Sequence, residues 1–105
     1  MAVQILSLAN GQLNLATTDM YASTAITTIV KSIRLVNTGS LPITINLYFL
    51  LNLGTARRIA PVNMTIPAGG LAIDDQEITM GPGDKVRGDA SSGGTVDFVI
   101  SGIQR

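Results

Sequence analysis

Residues 31–53, KSIRLVNTGSLPITINLYFLLNL, carry the longest strand pattern of this chain. In the second half of this stretch, six large apolar side chains occupy every other position: Ile43, Ile45, Leu47, Phe49, Leu51 and Leu53. The positions between them hold Thr44, Asn46, Tyr48, Leu50 and Asn52. A period of two over this length places the six apolar groups on one face only if the backbone is extended. The pattern therefore predicts a long β-strand whose apolar face, including Ile45, Leu47 and Phe49, lines the core.

The first half of the same stretch predicts a second strand followed by a turn. Ile33 and Leu35 alternate with Arg34 and Val36, and residues 37–40 (NTGS) are typical of turns because they accept positive φ or bond their own backbone. We expect the two strands to pair as a β-hairpin with a four-to-five-residue connection. Pro42 would then stand at the first position of the second strand, where a missing N–H costs least.

Composition excludes several classes of function. The 105 residues suffice for one domain, and they include no cysteine and no histidine. These absences exclude disulfides, thiolate or zinc sites and most nucleophile–base pairs. Seven basic and seven acidic residues cancel, so there is no electrostatic footprint for nucleic acid. No apolar run reaches the ~18 residues of a membrane helix, and residues 1–10 do not resemble a signal peptide. We expect no cofactor, no nucleic acid and no membrane partner.

The charged fraction is the most informative figure in the composition. It is 13 %, about half of the usual ~25 %. A neutral, charge-poor and aliphatic surface tends to associate. We therefore expect a homo-oligomer whose exterior is partly covered by other protein.

The N-terminal segment, residues 1–15, is predicted to be distinct from a sandwich domain at residues 16–105. A turn signal at Asn10 and Gly11 separates two apolar runs, which allows two short edge strands joined by a tight turn. The alternative, which we favour, is an arm that crosses to a neighbouring subunit and adds a strand there. The arm's apolar residues are then interface candidates: Val3, Ile5, Leu6 and Leu8. Residues 17–22 are polar and are expected to form a loop.

The rest of the chain predicts an all-β fold. About eight short apolar runs recur every 8–12 residues and are separated by Gly/Pro turns such as residues 67–70 (PAGG) and 81–84 (GPGD). This spacing favours an antiparallel β-sandwich, and we prefer a jelly-roll topology. A ligand-binding barrel is disfavoured because two Phe and two Tyr are too few to line a pocket.

Four features of the sequence resemble possible sites. Residues 81–85 (GPGDK) resemble a phosphate loop superficially, but they lack its spacing and a following helix, so a β-turn is favoured. Asp74, Asp75 and Glu77 carry oxygen ligands suited to Ca²⁺, although a solvated turn is the more common use of such acids. Arg57 and Arg58 suit either a partner's carboxylates or protection of a sheet edge.

Tyr48 and Leu50 form the fourth feature, on the outer face of the long strand. They predict either a second sheet packed on that face or a contact patch for a partner. No two carboxylates are spaced to suggest a hydrolase. We therefore predict no catalytic and no metal-binding residues.

Three segments resemble small virion proteins of tailed bacteriophages: TTIVKSIRLVNTGSLPITINLYFL, then MTIPAGG, then ITMGPGDKVRGDASSGGTVDFVISG. In that family a strand of the form I-V-K-S-I-x-L-x-N-T precedes V-T-I-x-L-Y, a T-I-P-A-G turn, a G-D turn and a strand ending in S-G. The resemblance covers about residues 27–102. The family's V-P-A-G turn before I-V-K-S-I is replaced here by residues 21–24 (YAST).

This resemblance implies a non-enzymatic protein located in the virion and assembled in the host cytoplasm. The favoured role is a capsid decoration or cement protein, which stabilises the head by self-association and by attachment to capsomers. Its expected partners are the phage major capsid protein or another virion protein, and a trimer is favoured by analogy with jelly-roll virion proteins. The alternatives are a tail, neck or baseplate component and, from another class, a carbohydrate-binding module. Sugar binding is disfavoured because the chain has no Trp and only four aromatic rings.

Overall fold

The computed structural model of the protein describes residues 4–24 and 27–104. It contains two antiparallel β-sheets. Ten strands are present in this part of the chain: β1 (Gln4–Gln12), β2 (Thr18–Ala22), β3 (Thr28–Asn37), β4 (Ile43–Leu50), β5 (Arg57–Arg58), β6 (Met64–Ile66), β7 (Leu71–Asp74), β8 (Ile78–Met80), β9 (Lys85–Ala90) and β10 (Val96–Gln104). No helix capable of crossing a membrane occurs among the described residues.

The sheet order is that of a jelly roll. The first sheet runs β1-β10-β3, and β7 and β8 both pair with the far edge of β3. The second sheet runs β2-β9-β4, and β5 and β6 both pair with the far edge of β4. Each of these interrupted pairs fills one strand position, so the chain has eight positions, ordered 1-8-3-6 and 2-7-4-5. The predicted all-β, jelly-roll-like antiparallel sandwich is confirmed.

The core lies between the two sheets, and the inner face of β4 supplies part of it as predicted. Ile45 and Leu47 have no solvent exposure, and Phe49 is half-buried against the core. Large, fully buried apolar side chains come from both sheets and the adjoining loop: Leu13, Val30, Ile33, Leu35, Ile66, Met80, Val86, Val96 and Ile100. Each buried aliphatic side chain contributes about 1.5–3 kcal/mol to folding.

The predicted hairpin, in which the strand at residues 31–36 would pair with the strand at residues 43–53, is wrong. β3 belongs to the first sheet and β4 to the second, so residues 38–42 carry the chain from one sheet to the other. The alternation identifies each strand but not its partner. In the structure both edges of β3 are occupied by other strands, β10 on one side and β7 with β8 on the other.

Asn37 explains why the chain turns the corner at this point. Its side chain is fully buried, and its Nδ2 group donates to the carbonyl oxygens of Leu41 (2.8 Å), Ile66 (3.1 Å) and Pro67 (3.2 Å). Its Oδ1 atom accepts the N–H of Gly39 at 3.0 Å. One buried amide therefore satisfies backbone groups that the corner removes from the strand ladders.

The apolar face of β4 ends earlier than the alternation predicts. Leu51 and Leu53 are 58 % and 99 % exposed, because β4 stops at Leu50 and Leu53 turns the chain with a φ of 60°. The buried carboxylate of Asp84 accepts the N–H of Asn52 at 2.9 Å and so anchors this turn. The expectation that these two leucines belong to the core is wrong.

The N-terminal residues 4–12 form one strand, β1, paired with β10 of the same chain. The predicted tight turn at Asn10 and Gly11 is wrong, since both lie inside the strand opposite Val99 and Phe98. A Cβ atom on Gly11 would come within 3.2 Å of the Phe98 ring, so this glycine permits close packing instead of a turn. The division into an arm at 1–15 and a sandwich at 16–105 stays a prediction.

The segment 17–22, expected to be a loop, contains β2. Its ladder with β9 shifts register between Asp19 and Tyr21. This β-bulge turns both Met20 and Tyr21 inward, so the apolar alternation that would reveal a strand is broken.

Leu47→Ala tests the assignment of the core face. Because Leu47 is fully buried, we expect its truncation to lower the free energy of unfolding by about 2–5 kcal/mol in reversible denaturant titration. The matched control is Leu53→Ala, on an exposed side chain, which should change stability by less than about 0.5 kcal/mol. Equal effects of the two substitutions would contradict the assignment.

Candidate interaction surfaces

The outer face of the second sheet is covered by a polar network centred on Asn46. Its Nδ2 group donates to Asp89 Oδ1 (3.0 Å) and to Asn63 Oδ1 (3.1 Å). Its Oδ1 atom accepts from Arg58 Nη1 at 2.7 Å and from the Asn63 N–H at 2.9 Å. Thr17 Oγ1 donates to the other oxygen of Asp89 at 2.7 Å. Residues of β4, β5 and β9 and of two loops are thereby joined across the sheet surface.

Tyr48 and Leu50 lie on this same face, and both are half-buried. The guanidinium of Arg58 stands 5.0 Å from the centroid of the Tyr48 ring, a cation–π distance. The first sheet packs against the opposite, Leu47 face of β4, so the hypothesis that a second sheet covers Tyr48 is wrong. Their assignment as interface residues stays a prediction.

Charged side chains complete the polar character of this face. Arg87 Nε donates to Asp19 Oδ1 at 2.6 Å, and Lys85 Nζ lies 3.6 Å from the other oxygen of Asp19. Arg57 and Arg58 form the short edge strand β5 and are exposed. Arg58 is already engaged with Asn46 and Tyr48, which fits the protection of a sheet edge better than the capture of a partner's carboxylate.

The outer face of the first sheet carries an apolar patch among polar residues. It exposes Leu71 (54 %), Ile73 (53 %) and Val99 (40 %), and Val36 lies in register between Leu71 and Asp97. Sequence reasoning missed this patch because its members come from β3, β7 and β10, which only the topology brings together. The available signal was weak: Val36 and Val99 are apolar residues at outward positions of their strands.

A cavity of about 260 Å³ opens between the two interrupted edges of the sandwich. It lies where the chain leaves the ladder between β5 and β6 and between β7 and β8, and its lining includes Leu35, Leu47 and Met64. Asp74 and Asp75 also line it. The cavity is apolar, and it brings together no set of groups that would perform a reaction.

The acidic residues beside this cavity do not form a calcium site. Asp74 Oδ1 accepts the N–H of Gln76 at 3.1 Å, as in a turn, and Glu77 forms a salt bridge with Lys31. Across residues 4–24 and 27–104, no group of three potential ligand residues is placed to hold a metal ion. The acids therefore serve the β7–β8 connection.

The GPGD segment forms the predicted turn, with Gly83 at a φ of 86°. Asp84 is buried, which sequence reasoning did not anticipate, and its Oδ2 atom accepts the Gly81 N–H at 2.9 Å. Together with its bond to Asn52, this joins the β8–β9 turn to the end of β4. The role of this carboxylate is structural.

The N-terminal interface candidates are described only in part. Val3 lies outside the described residues, and of Ile5 only the backbone position in β1 is described, opposite Ile103. Leu6 is half-buried, and Leu8 packs against the core at a β-bulge. Leu8 thus contributes to its own sandwich, while the interface role of all four stays a prediction.

Two of the solved structures that match this chain come from infectious bursal disease virus. A chain of the virus of the Gx strain superposes with a TM-score of 0.55 at 14 % identity, over 99 % of this chain and 37 % of its own length. A chain of the VP2 subviral particle superposes with a TM-score of 0.53 at 18 % identity, over 97 % of this chain and 31 % of its own. The likeness is one of fold.

The protein therefore spans about a third of the length of these two viral chains. No protein-family model matches its sequence, and a search of curated proteins gives no match.

Asn46→Ala tests whether the polar network holds the outer face of the second sheet together. Loss of the amide leaves Asp89, Asn63 and Arg58 without this shared partner, so we expect the free energy of unfolding to fall by about 1–2 kcal/mol. The control is Thr44→Val, two residues away on the same face of β4. It should change the free energy of unfolding by less than about 0.5 kcal/mol. A neutral Asn46→Ala, measured by denaturant titration, would mean that the network contributes nothing.

Proposed function

We propose that this chain is a non-enzymatic structural protein of a virus particle, and that its role is that of a capsid decoration or cement protein of a tailed bacteriophage. The observation that carries the proposal is the jelly-roll order of the strands, which aligns over nearly the whole chain with protein chains of virus particles. The strand-and-turn resemblance to phage virion proteins supports it independently.

The use of the buried polar groups supports a structural role. Asn37 and Asp84 bond to backbone groups of corners and turns. Ser23 and Thr28 bond to each other at 2.9 Å, and no buried side-chain nitrogen or oxygen among the described residues lacks a partner. A catalytic site usually holds a polar group in reserve for its substrate, whereas here the buried polar groups serve the fold.

The exposed loops supply surfaces for attachment to a shell. Leu15 and Leu41 lie in loops at one end of the sandwich and are 71 % and 75 % exposed. Leu51 and Leu53 lie in the β4–β5 loop, which meets the β8–β9 turn through Asp84. Exposed aliphatic side chains on loops of a rigid sandwich suit contacts with other protein. We assign these loops to contacts with capsomers.

Carbohydrate binding has little support from the aromatic side chains. Tyr21 and Phe98 are buried, and Phe49 packs against the core. The remaining ring, that of Tyr48, has Arg58 over its face. A stacking platform for a sugar is therefore not offered by any of the four rings of the sequence.

Electron microscopy of purified particles tests the proposed function. We expect density for a sandwich of about this size, 45 × 27 × 20 Å, on the outside of the head, together with peptides of this chain in the particle's mass spectrum. Particles stripped of the chain should rupture at a lower temperature, and adding the purified chain back should restore the original rupture temperature.

The location of the density decides between the alternatives. Density on the tail, neck or baseplate would replace the decoration role by the second candidate. Purified particles that contain none of the chain would contradict the virion role altogether.

A further inference from the structure

The exposed apolar side chains that lie on strands share one surface. Of the eight large hydrophobic residues exposed in the described part of the chain, five lie in loops: Leu15, Leu41, Leu51, Leu53 and Val62. The other three, Leu71, Ile73 and Val99, all lie on the outer face of the first sheet. The outer face of the second sheet instead carries the network of Asn46 and the cation over Tyr48. Among the described residues, the large apolar side chains exposed on strands are therefore confined to one face of the sandwich, where they lie beside polar residues such as Asn10 and Gln12.

Four residues on the outer face of the first sheet, two from each of two adjacent strands, form a four-cornered group that we call the square. Two opposite corners of the square each carry one charge. On the adjacent strands β3 and β10, Arg34 stands opposite Val99 and Val36 stands opposite Asp97. Within residues 4–24 and 27–104 neither Arg34 nor Asp97 forms a salt bridge, although Asp97 accepts a hydrogen bond from Gln12 Nε2 at 2.9 Å. The square therefore carries one positive charge, that of Arg34, and one negative charge, that of Asp97.

We propose that this face binds a second copy of the chain across a two-fold axis, with Arg34 of each copy paired with Asp97 of the other. The two-fold axis lies between the first sheet of one copy and the first sheet of the other, and it runs along the Val36–Val99 diagonal. Rotation about this axis exchanges the two charged corners. Each arginine then stands over the aspartate of the other copy, and each valine of the square meets its own counterpart. The contact is isologous, so one square supplies both halves of the interface.

The surface is large enough for such a contact. Three strands of nine or ten residues, β1, β3 and β10, with β7 and β8 beside them, give a sheet face of roughly 20 × 30 Å at standard strand spacings. In a standard interface each partner buries roughly 800 Å² of accessible surface. The sheet face is of comparable size, because its side chains add accessible surface to the flat area. At standard strand spacings this axis makes the strands of one copy cross those of the other at roughly 70°, which is nearer to the orthogonal mode of sheet packing than to the aligned mode.

A second copy fits this face better than a partner of one charge. A strongly acidic or basic partner would satisfy one corner of the square and oppose the other. The inference deepens the self-association in the proposed function, but its test uses the purified chain alone. A failure here therefore leaves attachment to particles to be decided separately. It also differs from the trimer expected by analogy, because an isologous contact closes at two copies.

Substitution of the apolar centre is the first test. By sedimentation at tens of micromolar, we expect the unmodified chain to show twice its 11.0 kDa mass. Val99→Lys should raise the dissociation constant at least about ten-fold, because it places an unpaired cation at the axis. Thr65→Lys adds the same charge to the outer face of the second sheet and should leave the constant unchanged. Circular dichroism checks that both variants are folded.

A charge exchange between Arg34 and Asp97 is the sharper test. Arg34→Asp alone and Asp97→Arg alone place like charges across the axis in both contacts, so each variant should sediment as a monomer. When the two variants are mixed, every contact again joins an arginine to an aspartate. Native mass spectrometry should then show the heterodimer of the two variants.

Each contrary result overturns the proposal. A monomeric unmodified chain, or a trimer, excludes the two-fold contact. A dimer that persists unchanged in Val99→Lys uses another surface. Folded single-charge variants that fail to form the heterodimer exclude the Arg34–Asp97 pairing.

Discussion

A single buried amide, that of Asn37, anchors two of the connections between the two sheets of this protein. Its Nδ2 group bonds to Leu41 in the β3–β4 connection and to Ile66 and Pro67, where the chain leaves β6 for β7. Its backbone N–H also donates to Gly70 at 3.0 Å. Two crossings between the sheets therefore share one anchor. A buried carbonyl left without a donor costs about 1–3 kcal/mol, so the corner depends on this side chain.

The corner has consequences for the whole surface. Because β3 and β4 enter different sheets, Arg34 and Val36 of β3 face outward on one side of the sandwich, and Asn46 and Tyr48 of β4 face outward on the other. A hairpin would have placed all four strand residues in one sheet. The separation gives the two outer faces different side chains, and the apolar patch of Leu71, Ile73 and Val99 on the first sheet supports our proposal of self-association through that face.

Local patterns predicted most of the strands and several of the turns, while long-range pairing could not be predicted. The alternation of β4 located Ile45 and Leu47 in the core, and Gly83 marked its turn. The sequence carries no signal for the partner of β3, and a bulge at Met20 hid β2. The candidate site shows the same limit: Tyr48 and Leu50 were visible as neighbours in one strand. The apolar patch on the first sheet was not visible in the sequence, because Val36 and Val99 come near each other only through the β3–β10 pairing.

The sheet order depends on the strand partners of β3, which nuclear Overhauser effects between backbone protons would identify. The jelly roll predicts cross-strand effects between Leu35 and Phe98 in the first sheet and between Leu47 and Gly88 in the second. It predicts none between β3 and β4. Cross-strand effects linking Val36 to Ile43 would show the hairpin instead, and would contradict both the topology and the division of the surface that follows from it.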